Sequence, residues 1–315
     1  MDELVLAGDL GGTNLRIAAV DAEGQLLYRA EGETPRHTNA GKLVEAVVDL
    51  VSECRGAIGS DRGIHGFGFA IPAIIQSEEN RIFSSPNLPE LNGFDLSDEL
   101  SKKLCLDVAL ENDATAAAIG EHWLGASRGF DSSICVTLGT GVGGGIILNG
   151  EPLRGPDGTA GEVGHICVEP LGFPCACGSV GCLEQYSSAS AITRMANELL
   201  SKYPESCLHR AETIDALAVF DCGTAGDPLC IEVFRRAGVY LGIALSGLIN
   251  VLNPEVIVIG GGAADGWELF IGHVRSEIKK RAFQQPAERA RIVRASLGGD
   301  AGIIGAARLA FGKAA

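Results

Sequence analysis

Four residues within a short stretch carry the chemistry of a metal site: His165, Cys175, Cys177 and Cys182. Three thiolates and one imidazole match a tetrahedral zinc centre, and Gly178 and Gly181 allow the loop to fold back tightly around the ion. Four protein ligands close the coordination shell, so this Zn²⁺ is expected to be structural and not a generator of hydroxide. The competing reading is a set of unrelated buried cysteines and a surface histidine. Glu162, three residues before His165, and Glu184, two after Cys182, bracket the loop. A metal that fixes the loop would preorganise both carboxylates to accept hydrogen bonds from sugar hydroxyls. Taken singly, each reads more readily as a solvated surface charge.

A second kind of chemistry is signalled by Asp113, which follows Asn112 where a strand gives way to a helix. Phosphoryl transfer needs a group to accept the hydroxyl proton and little other covalent work, so a partly desolvated aspartate at such a junction fits the role. The alternative is a helix N-cap, for which aspartate is also favoured. Three glycine loops supply a third signal: Gly8-Asp9-Leu10-Gly11-Gly12-Thr13-Asn14, Gly139-Thr140-Gly141-Val142-Gly143-Gly144-Gly145 and Gly260-Gly261-Gly262. Bare backbone approaches a phosphate closely and presents several N–H donors. Asp9 is placed to orient Mg²⁺ through water, with Thr13, Asn14 and Arg16 as donors near a transferring phosphoryl group. Hairpin turns are the plain alternative. Neither the P-loop nor the dinucleotide fingerprint fits, because the first two loops lead into strands and no Gly-Lys-Ser/Thr follows.

These groups need a scaffold of alternating elements. Leu4 to Ala7 and Leu15 to Val20 read as strands flanking the first glycine loop, and Ile64 to Ile71 as another strand. Leu43, Val47, Leu50 and Val51 share one face of a helix. Ser84 to Gly93 reads as an ordered loop. Asp107 to Leu110 is a strand feeding the alanine-rich helix Ala114 to Gly120, and Ile134 to Leu148 repeats the strand, glycine loop and strand of the N-terminus. A long helix from about Pro228 to Ile249 stops at Asn253-Pro254. The strand Val256 to Ile259, a strand at Ile292 to Ala295 and a helix at Ile303 to Phe311 complete an α/β pattern with an approximate internal repeat.

Composition agrees. The 315 residues include 43 glycines without a three-residue period and are 46% hydrophobic, which excludes collagen and a disordered chain. The length suggests about two domains. A net charge of -15, from 40 acidic and 25 basic residues, argues against nucleic acid or an anionic membrane as the main partner. Met1-Asp2-Glu3 offers no basic region before an apolar stretch, and no apolar run approaches the ~20 residues of a membrane span, so a cytoplasmic protein is expected. In that reducing compartment Cys54, Cys105, Cys135, Cys167, Cys207, Cys222 and Cys230 are expected as free thiols, some of them core residues.

Taken in order, these pieces resemble the ROK family of sugar kinases and sugar-responsive repressors over nearly the whole chain. The resemblance rests on the first glycine loop, Pro86-Asn87-Leu88-Pro89, Glu111-Asn112-Asp113-Ala114 and Leu138 to Gly145. It continues through Gly161-Glu162-Val163-Gly164-His165, the cysteine loop ending in Cys182-Leu183-Glu184, and Asn253-Pro254-Glu255 before Gly260-Gly261-Gly262. It implies a two-lobed actin-like (ribonuclease-H-like) ATPase fold with duplicated mixed sheets and a cleft between lobes. Residues 1–112 with about 300–315 would form the smaller lobe, and residues 113–299 the larger one with the zinc loop and adenosine site.

The implied activity is ATP-dependent phosphorylation of a hexose at the 6-hydroxyl. Glucose comes first, and N-acetylglucosamine, N-acetylmannosamine or fructose are alternatives. By the same resemblance Asp113 is the general base, and Asn112, Glu162, His165 and Glu184 hold the sugar, with Ser85 as a further contact. Asp9, Gly11, Gly12, Thr13, Asn14, Arg16, Gly139, Thr140, Gly141, Gly260, Gly261 and Gly262 would hold ATP and Mg²⁺. A homodimer is implied as well. Pro72-Ala73-Ile74-Ile75-Gln76 departs from the Pro-Gly-Pro-Val-Asp of many members at a place near the sugar, which bears on the choice of hexose. A family repressor would carry a helix-turn-helix before the core, whereas here the first phosphate strand begins by Leu4. An ATPase of the actin or chaperone type would not need the zinc loop.

Overall fold

The computed structural model describes residues 3–36, 38–59 and 63–312. Met1 and Asp2, which entered the reading of the N-terminus, and the end of the chain from 313 to 315 lie outside the described residues. In chain order the first elements are β1 (Leu4–Leu10), β2 (Asn14–Asp21), β3 (Leu26–Glu33), α1 (Ala40–Ile58), β4 (Ile64–Ile71), β5 (Ile74–Gln76), β6 (Arg81–Ser84), α2 (Leu96–Leu104), β7 (Val108–Asn112) and α3 (Asp113–Trp123). They are followed by β8 (Ser133–Leu138), β9 (Val142–Leu148), β10 (Glu151–Pro152), α4 (Glu184–Ser187), α5 (Ala189–Leu199), α6 (Ala216–Thr224) and α7 (Pro228–Leu252). The last are β11 (Val256–Gly260), α8 (Trp267–Arg281), α9 (Gln284–Arg289), β12 (Arg291–Arg294) and α10 (Ala301–Ala310).

Two five-stranded sheets organise the chain, in the orders β3-β2-β1-β4-β7 and β10-β9-β8-β11-β12. Both are mixed: β1 runs antiparallel to β2 and parallel to β4, while in the second sheet β11 runs parallel to β8 and β12 and β10 runs antiparallel to β9. The chain divides into two compact units, Met1–Asp131 with Gly145–Gly161 and Ser296–Ala315, and Ser132–Gly144 with Glu162–Ala295. Helix α3, which the resemblance groups with residues 113–299, lies in the first unit.

In the first unit β1 is buried along its whole length. Alternation along a strand sends successive side chains to opposite faces. Leu6 and Leu10 therefore join the core under α1, while Val5 and Ala7 join Ala116, Ile303, Ala306 and Ala307 under α3 and α10. Asp9 continues the second series, and its carboxylate lies against Gly302 in the first turn of α10, where an added Cβ would stand 3.1 Å from Asp9 Cγ. A short apolar strand thus delivers a carboxylate to a helix N-terminus.

In the second unit α7 is capped by Asp227, whose carboxylate accepts the N–H groups of Leu229 at 2.9 Å and Cys230 at 3.2 Å. It ends at Asn253, in the left-handed conformation at φ 51°, as the Asn-Pro signal predicts. Among the described residues no helix is long and apolar enough to cross a membrane.

Candidate active site and metal loop

The first glycine loop is a tight turn between β1 and β2. Gly11 N–H donates to Asn14 O at 2.9 Å, and Thr34 straps the turn down, its Oγ1 donating to Gly11 O at 2.8 Å and its N–H to Thr13 O at 2.9 Å. Gly12, Thr13 and Asn14 are left exposed at the tip. Arg16, on β2 opposite Asp9, pairs with the Asp9 carboxylate and donates through Nη1 to Gly299 O at 2.9 Å. Burial raises the Asp9 pKa above the usual carboxylate range, and the Arg16 charge opposes that rise. Asp9 offers the kind of oxygen atom that a hard cation such as Mg²⁺ takes as a ligand, and in this structure its charge is met by Arg16.

At the end of β7 the cap of α3 is Asn112. Its Oδ1 accepts the N–H groups of Ala114 and Thr115, each at 3.0 Å, and its Nδ2 donates to Ala73 O at 3.2 Å. Asp113 is the first helical residue, with Oδ1 accepting the Ala114 N–H at 2.9 Å. The capping role weighed for Asp113 therefore falls to its neighbour, and Asp113 presents its carboxylate at a helix start, where the dipole favours negative charge. Ser85 is fully buried, its Oγ donating to Pro72 O at 3.2 Å and its N–H to Asn92 Oδ1 at 2.8 Å. It holds the strand-end segment at Pro72 from behind.

In the second unit the structure brings two glycine loops together. Gly139, Thr140 and Gly141 make the turn between β8 and β9, with Gly139 N–H donating to Gly141 O at 3.0 Å. Gly260 closes β11, and Gly261 passes so near that an added Cβ would stand 2.5 Å from Leu138 O. Helix α5 holds the first of these turns: Ala189 N–H donates to Gly139 O at 2.9 Å and Ser190 Oγ to Thr140 O at 2.8 Å.

His165, Cys175, Cys177 and Cys182 do converge. Their four ligand atoms lie within 4.8 Å of one another. His165 Nδ1 is 3.7 Å from Cys175 Sγ, and Cys177 Sγ is 3.6 Å from Cys182 Sγ. A tetrahedral zinc with Zn–S of about 2.3 Å has S–S edges of about 3.8 Å, so the donors fit the ion. The loop is pinned by Cys175 N–H to Ser179 O at 2.8 Å and Gly181 N–H to Phe173 O at 2.8 Å. Burial and the neighbouring thiols push Cys182 up to about 12, while the Ser179 backbone lowers Cys177. Such a cluster holds several thiolates together when a cation compensates them. The other ring nitrogen, His165 Nε2, faces Glu162 Oε2 at 3.9 Å. At that separation the carboxylate stands beside the ring without a hydrogen bond to it.

Glu184 begins α4 two residues after the last cysteine, and its Oε2 accepts the Val142 N–H at 3.1 Å. The metal loop and the β8–β9 glycine turn are thereby joined through one carboxylate. Sequence reasoning missed this bond, since nothing local links positions 42 residues apart. It also missed Thr34 and the pair of buried Glu111 with half-buried Arg154 beside Asp113. The free-thiol expectation is corrected for two cysteines: Cys207 and Cys222 form a disulfide with a Cα–Cα distance of 6.3 Å. The short helical turn Cys207–Arg210 comes back beside α6, a proximity no spacing rule reveals.

The sequence matches the ROK family over residues 5–313. The chain belongs to the ROK family. This ROK chain is 35% identical over 314 residues to the glucokinase of Thermotoga maritima, covering 98% of each protein. Among solved structures, it is similar to a ROK family glucokinase from Streptomyces griseus in complex with glucose and AMPPNP, with TM-score 0.83 and 33% identity over 97% of this chain and 98% of that one. The ROK hexokinase of Thermus thermophilus matches with TM-score 0.82 and 32% identity over 98% of each chain. The two mixed five-stranded sheets are those of the actin-like ATPase fold of ROK sugar kinases.

Proposed function

We propose that this ROK chain phosphorylates a hexose at the 6-hydroxyl with ATP, glucose being the substrate of first choice. The observation that carries the reading is the division of labour at the start of α3. Asn112 caps the helix, and Asp113 stands in its first turn, its Oδ1 accepting the Ala114 N–H at 2.9 Å. Near-full-length similarity to glucokinases supports the substrate class.

In this reading Asp113 accepts the proton of the attacking sugar hydroxyl, and Asn112 adds a contact through the Nδ2 hydrogen that Ala73 does not take. Glu162, His165 and Glu184 accept and donate to the other hydroxyls. Ser85 keeps the Pro72 strand end in place. The turns at Gly11 to Asn14, Gly139 to Gly141 and Gly260 to Gly262 offer backbone to ATP; Asp9 would orient Mg²⁺ through water, and Thr13, Asn14 and Arg16 would supply donors near the transferring phosphoryl group. A zinc ion bound to His165, Cys175, Cys177 and Cys182 supplies rigidity to the loop that carries the sugar contacts. The reading also includes a cytoplasmic homodimer whose partners are neither nucleic acid nor membrane.

The test is a panel of glucose, N-acetylglucosamine, N-acetylmannosamine and fructose with ATP and Mg²⁺, followed by ADP release. Glucose is expected to give the highest kcat/KM. A higher value with an N-acetylated sugar would reassign the substrate, and no release with any of them would remove the kinase reading.

A further inference from the structure

The roles above leave one ion pair beside the base without a task, its carboxylate buried and its Arg154 partner half-buried. Glu111, the residue before Asn112 on β7, is 3% exposed. Its Oε1 accepts the Asn112 N–H at 3.0 Å, and its Oε2 accepts from Arg154 Nε at 2.8 Å and Nη2 at 2.7 Å. Burial pushes the Glu111 carboxyl up, and Arg154 with the Asn112 N–H pulls it back. A pair with its carboxylate buried is a poor source of stability, because apolar residues of similar volume often do as well, whereas removing the arginine alone leaves a buried charge uncompensated. Its best-attested use is to fix a register.

What the pair joins is specific. On one side, Glu111 leads directly into Asn112 and Asp113. On the other, Arg154 is the second residue of the segment 153–160 that follows β10. Leu153 N–H donates to Ile146 O at 2.8 Å, and Ala160 N–H to Arg154 O at 3.0 Å. Gly158, at φ 72°, lies so close to β5 that an added Cβ would stand 1.8 Å from Ile75 O. Two residues before Ile75, Ala73 O accepts from Asn112 Nδ2 at 3.2 Å. Glu111, Arg154, the 153–160 segment, the start of β5 and Asn112 therefore form a closed ring of contacts, all within the first unit.

We propose that the Glu111–Arg154 pair is a positioning device for Asp113, locking the β7–α3 junction to the 153–160 segment so that the carboxylate of Asp113 keeps one orientation. The proposal rests on the reading of Asp113 as general base. Misplacement of a reacting group by about 1 Å can cost on the order of a hundredfold in rate, so loss of the lock is expected to act on kcat.

The experiment compares Glu111→Gln, Arg154→Met and the double variant Glu111→Leu/Arg154→Met in the full chain. Three quantities are read: Tm, amide hydrogen exchange across residues 111–116 and 153–160, and kcat with KM for glucose and ATP. Each single variant is expected to speed exchange in both segments and to lower kcat about tenfold or more, with KM for ATP changed by less than about twofold. The double variant is expected to recover Tm without recovering kcat or the protection of residues 111–116. Recovery of all three in the double variant would show that the pair only fills space and would overturn the proposal. So would single variants in which exchange at 111–116 is unchanged. The exchange readout needs no substrate. An inactive wild type would therefore remove the kinase reading, while the coupling of the two segments would still be decided by exchange.

Discussion

Glu184 Oε2 accepts the Val142 N–H at 3.1 Å, so a carboxylate placed by the cysteine loop is seated on the glycine turn between β8 and β9. The absence of a side chain at Gly141 makes this possible, because a Cβ there would stand 2.2 Å from the same oxygen. In the proposed reaction, one residue assigned to the sugar is therefore also part of the support for a nucleotide loop.

Replacing Gly141 by alanine must displace Glu184 or the turn. Gly141→Ala is expected to raise KM for both glucose and ATP, whereas Glu184→Gln, which retains an acceptor oxygen for Val142, raises KM for glucose much more than for ATP. Steady-state kinetics with each substrate varied in turn separates the two. An effect of Gly141→Ala confined to ATP would break the link between loop and sugar.

Asp113 and Asn112 are expected to fail differently. Asp113→Asn retains shape and the bond to Ala114 in kind but cannot take a proton, and general-base losses are typically about 10²–10⁴ in rate. A fall of kcat by about a thousandfold with unchanged Tm and metal content is the expected result. Asn112→Ala removes the cap and costs roughly 1 kcal/mol of stability, visible as a lower urea midpoint. Near wild-type turnover in Asp113→Asn would sink the mechanism.

These pairs also mark what a sequence discloses. The Cys175 to Cys182 loop, the three glycine loops and the strand before Asp113 are local patterns, governed by spacing and by alternation along a strand. The α3 cap was ambiguous because aspartate and asparagine are nearly equal as caps, and only backbone geometry distinguishes them. The Glu184–Val142 bond, the Glu111–Arg154 pair and the Cys207–Cys222 disulfide join positions with no common local pattern. So does Glu121, fully buried in α3, which accepts the N–H groups of Ser296 at 3.0 Å and Leu297 at 2.9 Å and anchors the approach to α10. Each depends on how distant elements pack, which composition and periodicity do not encode.

The metal loop gives a stoichiometric prediction. The purified protein is expected to carry one zinc per chain by elemental analysis. Cys182→Ser, at the fully buried ligand position, is expected to abolish retention of the ion and to speed exchange through residues 162–184. Because Glu162 and Glu184 flank this loop, KM for glucose should rise in proportion to zinc lost when the ion is stripped by a chelator, and fall again on its return. A fully active, zinc-free protein would contradict a structural role for the ion.

His122 gives a pH prediction with a definite sign. It lies in the last turn of α3, and its Nδ1 is buried without a hydrogen-bond partner. Burial lowers its pKa, Asp131 and Glu151 oppose the shift, and Arg308 on α10 adds to it. The folded chain thus binds this proton less readily than the unfolded chain, whose histidine titrates near pH 6.5. The stability associated with neutral His122 is fully present above about pH 6.5 and is lost as the pH falls toward and through the lower folded value. His122→Gln, which cannot titrate, is expected to lose less stability than the wild type between about pH 7.5 and 5.5. Urea midpoints at the two pH values measure the difference, and the other histidines cancel because both proteins share them. Equal losses in the two proteins would mean that the buried imidazole is not the group that senses acid.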